Sequence, residues 1–142
     1  MGQEHKIYLS GPLFSAGEIA WGRELSSFLR ERLAEAGVQV IWPYELSINL
    51  SEPEEIFRKN LRALDSCDLM VAILDGPLVD DGTAWEIGRF FHQGKKVVGI
   101  RTDIRKGGES DSLRVNLMIE CSCVCIASNI MELCFEIERL LD

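Results

Sequence analysis

Apolar residues recur along this chain in two rhythms. Short runs dense in aliphatic and β-branched side chains alternate with longer stretches in which apolar positions fall three and four residues apart. Lys6-Ile7-Tyr8-Leu9-Ser10 predicts a first strand ending at Gly11-Pro12. Ala16 to Ala36 predicts a helix with Ile19, Leu25, Phe28, Leu29, Leu33 and Ala36 inward and Gly37 as its stop. Val38 to Trp42 reads as a second strand. After the polar stretch Tyr44 to Glu52, a helix opens near Pro53, where proline suits a first turn, carries Ile56, Phe57, Leu61 and Leu64 on one face, and stops around Cys67. Asp68 to Leu74 is nearly all apolar, as a central strand covered on both faces must be. Gly82 to Gln93 predicts a third helix ended by Gly94, and Lys96 to Ile100 a fourth strand. Thr102 to Ser112, with Gly107-Gly108 and mixed charges, reads as a solvent loop. Cys121 to Ala127 predicts a fifth strand, and Asn129 to Leu141 a closing helix with Ile130, Leu133, Ile137 and Leu140 inward.

Strands alternating with helices predict a parallel sheet covered on both faces. The fold class expected is α/β, a flavodoxin-like or Rossmann-like three-layer sandwich with a five-stranded parallel sheet. At 142 residues the chain has the length of one domain, residues 1–142, and no internal repeat is visible.

Charge narrows the partners. Fifteen Lys and Arg against 23 Asp and Glu give a formal net charge of −8, a field that repels nucleic acid unless a basic stripe is present, and none is. The apolar run Leu69 to Leu74 is far shorter than the roughly 20 residues of a membrane span. Met1-Gly2-Gln3-Glu4-His5-Lys6 leads straight into the first strand without a signal-peptide core, and Lys6 stands where N-myristoylation wants Ser or Thr. Five cysteines, an odd number set in or beside apolar segments, predict reduced thiols and a cytoplasmic location.

In open α/β sheets ligands bind beyond the carboxyl ends of the strands, near the point where strand order reverses. The loop after the first strand, Ser10-Gly11-Pro12-Leu13-Phe14, lacks the glycine spacing of a dinucleotide fingerprint and the lysine of a P-loop. The segment after the third strand, Asp75 to Gly88, packs four carboxylates, Asp75, Asp80, Asp81 and Glu86, into a strand-to-helix junction. Two readings compete there. Thr83 with Glu86 forms a capping box, Glu86 reaching back to the backbone N–H of Thr83 while the aspartates complement the helix dipole. Alternatively Glu86, in the first helical turn, and Asp80, six residues earlier, face one pocket as a nucleophile and an acid, the pair that breaking a glycosidic bond requires, with Gly82 and Ala84 leaving room for a sugar.

Ile7-Tyr8-Leu9-Ser10-Gly11-Pro12-Leu13-Phe14, then Lys59-Asn60-Leu61 before Cys67-Asp68, then Asp80-Asp81-Gly82-Thr83-Ala84-Trp85-Glu86-Ile87-Gly88, and finally Asn116-Leu117-Met118 stand in the order found in the nucleoside 2-deoxyribosyltransferase family. Over residues 6 to 118 the chain resembles that family, and the D-x-G-T-x-x-E-x-G element with a downstream N-L-M is its most specific part. The resemblance implies a retaining double displacement without metal or organic cofactor, acting on 2′-deoxynucleosides and free nucleobases in nucleoside salvage. It makes Glu86 the nucleophile, Asp80 the aspartate that exchanges a proton with the base, and Tyr8 the residue that orients Glu86. Gly11, Phe14, Asn60 and Gly82 become substrate contacts. Asn116 and Met118 match residues given to a neighbouring subunit's site, which implies a homo-oligomer with shared active sites. Asn60 departs from members that carry aspartate there; its amide can hydrogen-bond a sugar hydroxyl but cannot act as acid or base.

Two clusters carry no such pattern. Same-face sulfurs of Cys121, Cys123 and Cys125 on a strand would start about 6.6 Å apart, awkward for a tetrahedral zinc, so these cysteines read as small buried residues. His5 and His92 have no ligand spacing. Two rival functions follow from the same residues. One is a related N-glycosidase that hydrolyses a 2′-deoxynucleoside 5′-monophosphate, against which the apolar Pro12-Leu13-Phe14 speaks while Ser10 and Ser15 speak for it. The other is a nucleotide-binding module in which Glu86 only caps its helix.

Overall fold

Five parallel strands in the order β2-β1-β3-β4-β5 carry helices on both faces in the computed structural model, which describes residues 4–142. The readings of Met1, Gly2 and Gln3 lie outside the described residues. Chain order gives β1 (Lys6–Ser10), α1 (Ala16–Arg32), β2 (Gln39–Ile41), α2 (Pro43–Ser47), α3 (Pro53–Ser66), β3 (Leu69–Ile73), α4 (Asp81–His92), β4 (Lys96–Ile100), α5 (Leu117–Glu120), β5 (Cys125–Ala127) and α6 (Ile130–Leu141). The strand order reverses between β1 and β3, where the two strands pair in register from Ile7 with Leu69 to Ser10 with Ala72. Among the described residues no helix is long and apolar enough to cross a membrane.

Alternation along β1 decides which face each residue serves. Ile7 and Leu9 join the apolar layer built with Leu25, Leu29 and Leu33 of the α1 side and Leu133 and Ile137 of α6. Tyr8 turns the other way, into the layer of Leu64 from α3, Met70 from β3, and Ile87 and Phe90 from α4. All five residues of β3 are buried, as its unbroken apolar run requires.

Several boundaries differ from the sequence reading. The first helix stops at Arg32 and tightens into a 3-10 turn, Ala34–Ala36, before Gly37 adopts the left-handed conformation at φ 68°. A short helix, α2, occupies part of the stretch read as merely polar, its Pro43 at the first turn. The fifth strand is three residues, not seven. Asn116 accepts a hydrogen bond from the Met118 amide and starts α5, and the Cys121 amide closes onto the Leu117 carbonyl, so Cys121 to Cys123 are curled rather than extended. Cys121 is exposed and Cys123 and Cys125 are half-buried, against the expectation that all three are buried. The other two cysteines, Cys67 and Cys134, are buried.

Within α1, Gly22 sits flat against the Trp42 ring, and a Cβ there would lie 2.8 Å from Cζ2. Alanine normally strengthens a helix interior by roughly 0.5–1 kcal/mol. Here the sign reverses: Gly22→Ala is expected to destabilise the fold by about 1–3 kcal/mol through overpacking, read as a lower urea midpoint.

Candidate active site

The site forms where β1 ends and α4 begins. Tyr8 and Ser10, two residues apart on β1, point to the same face, and both hydroxyls donate to Glu86 of α4: Tyr8 to Oε2, and Ser10 to Oε1 at 2.9 Å. Glu86 therefore does not cap its helix. That role belongs to Asp80, whose Oδ2 accepts from the Thr83 amide at 2.8 Å and from the Thr83 hydroxyl at 2.9 Å. Because α4 begins at Asp81, Glu86 lies in the second turn rather than the first, where its side chain reaches back to β1.

Electrostatics at Glu86 pull in opposite directions. Burial pushes its pKa above the ordinary carboxylate value, the hydrogen bonds from Tyr8 and Ser10 pull it down, and the nearby Asp80 charge pushes it up. Burial, reinforced by the Glu86 charge and hydrogen bond, drives the Tyr8 phenol upward, so it stays protonated as a donor. The result is a partly desolvated carboxylate with an O–H donor on each oxygen.

Glu86 opens on a cavity of about 460 Å³ between α3 and α4, lined by Phe57, Asn60, Leu61, Leu64, Asp81, Gly82 and Trp85. Phe57 and Trp85 meet edge to face at 6.1 Å on its wall. Among the described residues Asn60 Oδ1 is buried with no hydrogen-bond partner, an acceptor left for a ligand's hydroxyl or N–H. The placement of α3 against α4 is fixed by Asp65, which accepts from Arg89 Nε and Nη2 at 2.9 and 2.8 Å and from Gln93 at 2.8 Å; Arg89 first, then Gln93, hold its carboxyl at about 2.

Of the residues singled out in the sequence, the chain brings Tyr8, Glu86, Asn60 and Gly82 together, with Asp80 at the head of the same helix. Gly11 follows β1 directly, where a Cβ would come within 3.0 Å of the Ile73 side chain. Phe14 is 82% exposed in the loop before α1 and does not line the Glu86 cavity. Asn116 and Met118 lie across α4, on a separate cavity of about 850 Å³, with Met118 70% exposed. Phe57 and Trp85 are site residues the sequence reading missed, and Ser10, which it raises only in favour of the N-glycosidase, bonds Glu86. Parity with Tyr8 was the available signal for Ser10. Among the described residues no three His, Cys, Asp or Glu side chains converge to hold a metal ion.

Comparison with known proteins agrees with this geometry. The sequence model of the nucleoside 2-deoxyribosyltransferase family matches residues 7–118. A conserved protein from Enterococcus faecalis V583 has a solved structure that matches with a TM-score of 0.80 at 25% identity, over 97% of this chain and 99% of that one. A 2-deoxyribosyltransferase from the psychrotolerant bacterium Bacillus psychrosaccharolyticus matches with a TM-score of 0.70 at 25% identity, over 90% and 89%. An uncharacterised protein of Schizosaccharomyces pombe is 33% identical over 118 residues, 72% of this chain and 54% of the relative. The chain spans 54% to 61% of the length of the curated relatives it matches.

Proposed function

The chain belongs to the nucleoside 2-deoxyribosyltransferase family, and from that premise we propose that it moves 2-deoxyribose from one nucleobase to another by double displacement. A Glu86 carboxylate oxygen attacks C1′ of a 2′-deoxynucleoside. The C1′–N bond breaks with its electron pair going to the base, and a covalent deoxyribosyl ester of Glu86 remains. Asp80 exchanges the proton with the departing base. A second base then attacks C1′ through nitrogen, the ester bond breaks, and the Glu86 carboxylate is restored with the configuration at C1′ retained. Tyr8 orients Glu86, and Asn60 accepts a hydrogen bond from the bound nucleoside through its unpaired Oδ1. Gly82 leaves space beside the sugar; Gly11 and Phe14, which do not line this cavity, are assigned to the substrate by family pattern alone.

The observation that carries this reading is Glu86 itself. It spends both oxygens on donors from β1 instead of on its own helix, an arrangement that prepares a nucleophile and does nothing for helix stability. Asn116 and Met118 stand outside this chain's Glu86 cavity, on an exposed surface, which supports their completing the site of a neighbouring copy in a homo-oligomer. The role we assign is salvage of deoxynucleosides in the cytoplasm, with no cofactor.

The Glu86 cavity favours a neutral nucleoside over a nucleoside monophosphate. Its lining holds apolar side chains, Asn60 and the carboxylates Asp81 and Glu86, and among the described residues no Lys or Arg to meet a phosphate. Incubating the protein with thymidine and adenine is therefore expected to yield deoxyadenosine and thymine, followed by chromatography. Thymine released equally fast without adenine would instead identify a hydrolase, and release from thymidine 5′-monophosphate alone a nucleotide N-glycosidase.

A further inference from the structure

Ser10 is the last residue of β1, fully buried, with its backbone held in the sheet opposite Ala72. Its hydroxyl donates to Glu86 Oε1 across 76 positions of sequence. Tyr8 occupies Oε2 from the same strand and the same face. Each carboxylate oxygen thus has its own donor, and the two donors are fixed relative to each other by the pleat of β1. We propose that Ser10 is a positioning residue for sugar transfer, which holds Glu86 ionised and aimed by donating to Oε1 while Tyr8 secures Oε2. This rests on Glu86 being the nucleophile.

The titratable and charged groups around Glu86 leave Ser10 a defined task. From β1 comes Tyr8. From the start of α4 come the carboxyls of Asp80 and Asp81. From α3 comes only the neutral Asn60 in the cavity, with Cys67 beyond the helix end, near Tyr8. Among the described residues no cation lines the cavity to offset burial of the carboxylate. Hydroxyl donors are what favour its charged form, and Ser10 is one of the two.

Removing one donor disfavours the anion, so the Glu86 midpoint rises and the acid limb of kcat/KM moves to higher pH. For Ser10→Ala the expected displacement is on the order of 0.5–1 pH unit. Ser10→Thr keeps a hydroxyl and is expected to stay near wild type. The experiment pairs the pH profile of base exchange with a direct titration of the Glu86 carboxyl carbon by NMR in 13C-glutamate-labelled protein, its signal assigned by its loss in Glu86→Gln. A raised midpoint in Ser10→Ala that Ser10→Thr restores supports the assignment. A midpoint coinciding with wild type overturns it. If Ser10→Ala does not fold, Ser10→Cys, near in volume and a weaker donor, is titrated in the same way with the same two outcomes. Wild type that exchanges no base would sink the transferase reading, and the NMR titration would still decide what Ser10 does to Glu86.

Discussion

Glu86→Gln is expected to reduce deoxyribosyl transfer by on the order of 10⁴-fold or more, because a neutral amide is a poor nucleophile and the other carboxylate of the cavity, Asp81, lacks the two hydroxyl donors that hold Glu86. The fold should persist. Glutamine keeps one oxygen to accept from a hydroxyl, and the other hydroxyl can rotate to accept from the new N–H₂. Stability gives a second readout. Glu86 is an acid whose pKa is raised in the folded state, so its ionised form opposes folding above that pKa and the opposition disappears as the group is protonated. At neutral pH the variant should therefore melt at or above the wild-type temperature, and the two curves should converge as pH falls below the raised midpoint. A binding module in which Glu86 is inert predicts no loss of turnover, there being none. A wild type that transfers the sugar beside a Glu86→Gln variant that transfers it equally well would overturn the role given to Glu86.

How the sequence conceals this arrangement is instructive. Thr83 and Glu86 fit the spacing of a capping box, which hides that Asp80, read only as complementing the helix dipole, is the N-cap. The structure chooses Asp80 because its Oδ2 satisfies both the amide and the hydroxyl of Thr83, which leaves Glu86 free to reach β1. The partners Glu86 finds there were legible in principle. Tyr8 and Ser10 share parity on a strand whose other parity, Ile7 and Leu9, is plainly core.

Central elements were legible because burial on both faces writes itself as a continuous apolar run, as in β3. Edges were not. Cys121 to Ala127 mimics a strand through its alternating cysteines, yet a cap at Asn116 seven residues after Glu109 closes a turn first, with Glu109 accepting from the Asn116 amide group and the Leu117 backbone. The five residues of α2 are too few to display a helical period. Asn116 and Met118 were marked by family pattern alone, and a single chain holds them away from Glu86.

Arg101 left no signal at all, since an arginine after an edge-ward strand reads as solvent-facing. It is 1% exposed. Its Nη1 donates to the carbonyls of Leu74 and Gly76 and its Nη2 to the carbonyl of Arg105 at 2.6 Å, while Nε has no partner. Arg114 Nη2 in turn donates to the Arg101 carbonyl at 2.8 Å. Asp75 completes the brace by accepting from the Thr102 and Asp103 amides at 2.6 and 2.8 Å. The loop so braced is the one that leaves β3 and delivers Asp80 to the head of α4. Arg101→Met preserves much of the volume but leaves three carbonyls without their donors, each loss costing roughly 1–3 kcal/mol when buried. Relief from burying an unpaired cation offsets part of this. The net expected loss is about 3 kcal/mol, a fall in Tm of roughly 6–12 °C for a chain of this size. Arg101→Lys should recover only a fraction, because a compact ammonium cannot span carbonyls that a planar guanidinium reaches together. Calorimetry of the three proteins tests this directly. Equal melting temperatures for wild type and Arg101→Met would show that the brace is held by Asp75 and Arg114 alone, and base exchange measured well below the variant's Tm would then report whether the loop still presents Asp80 correctly.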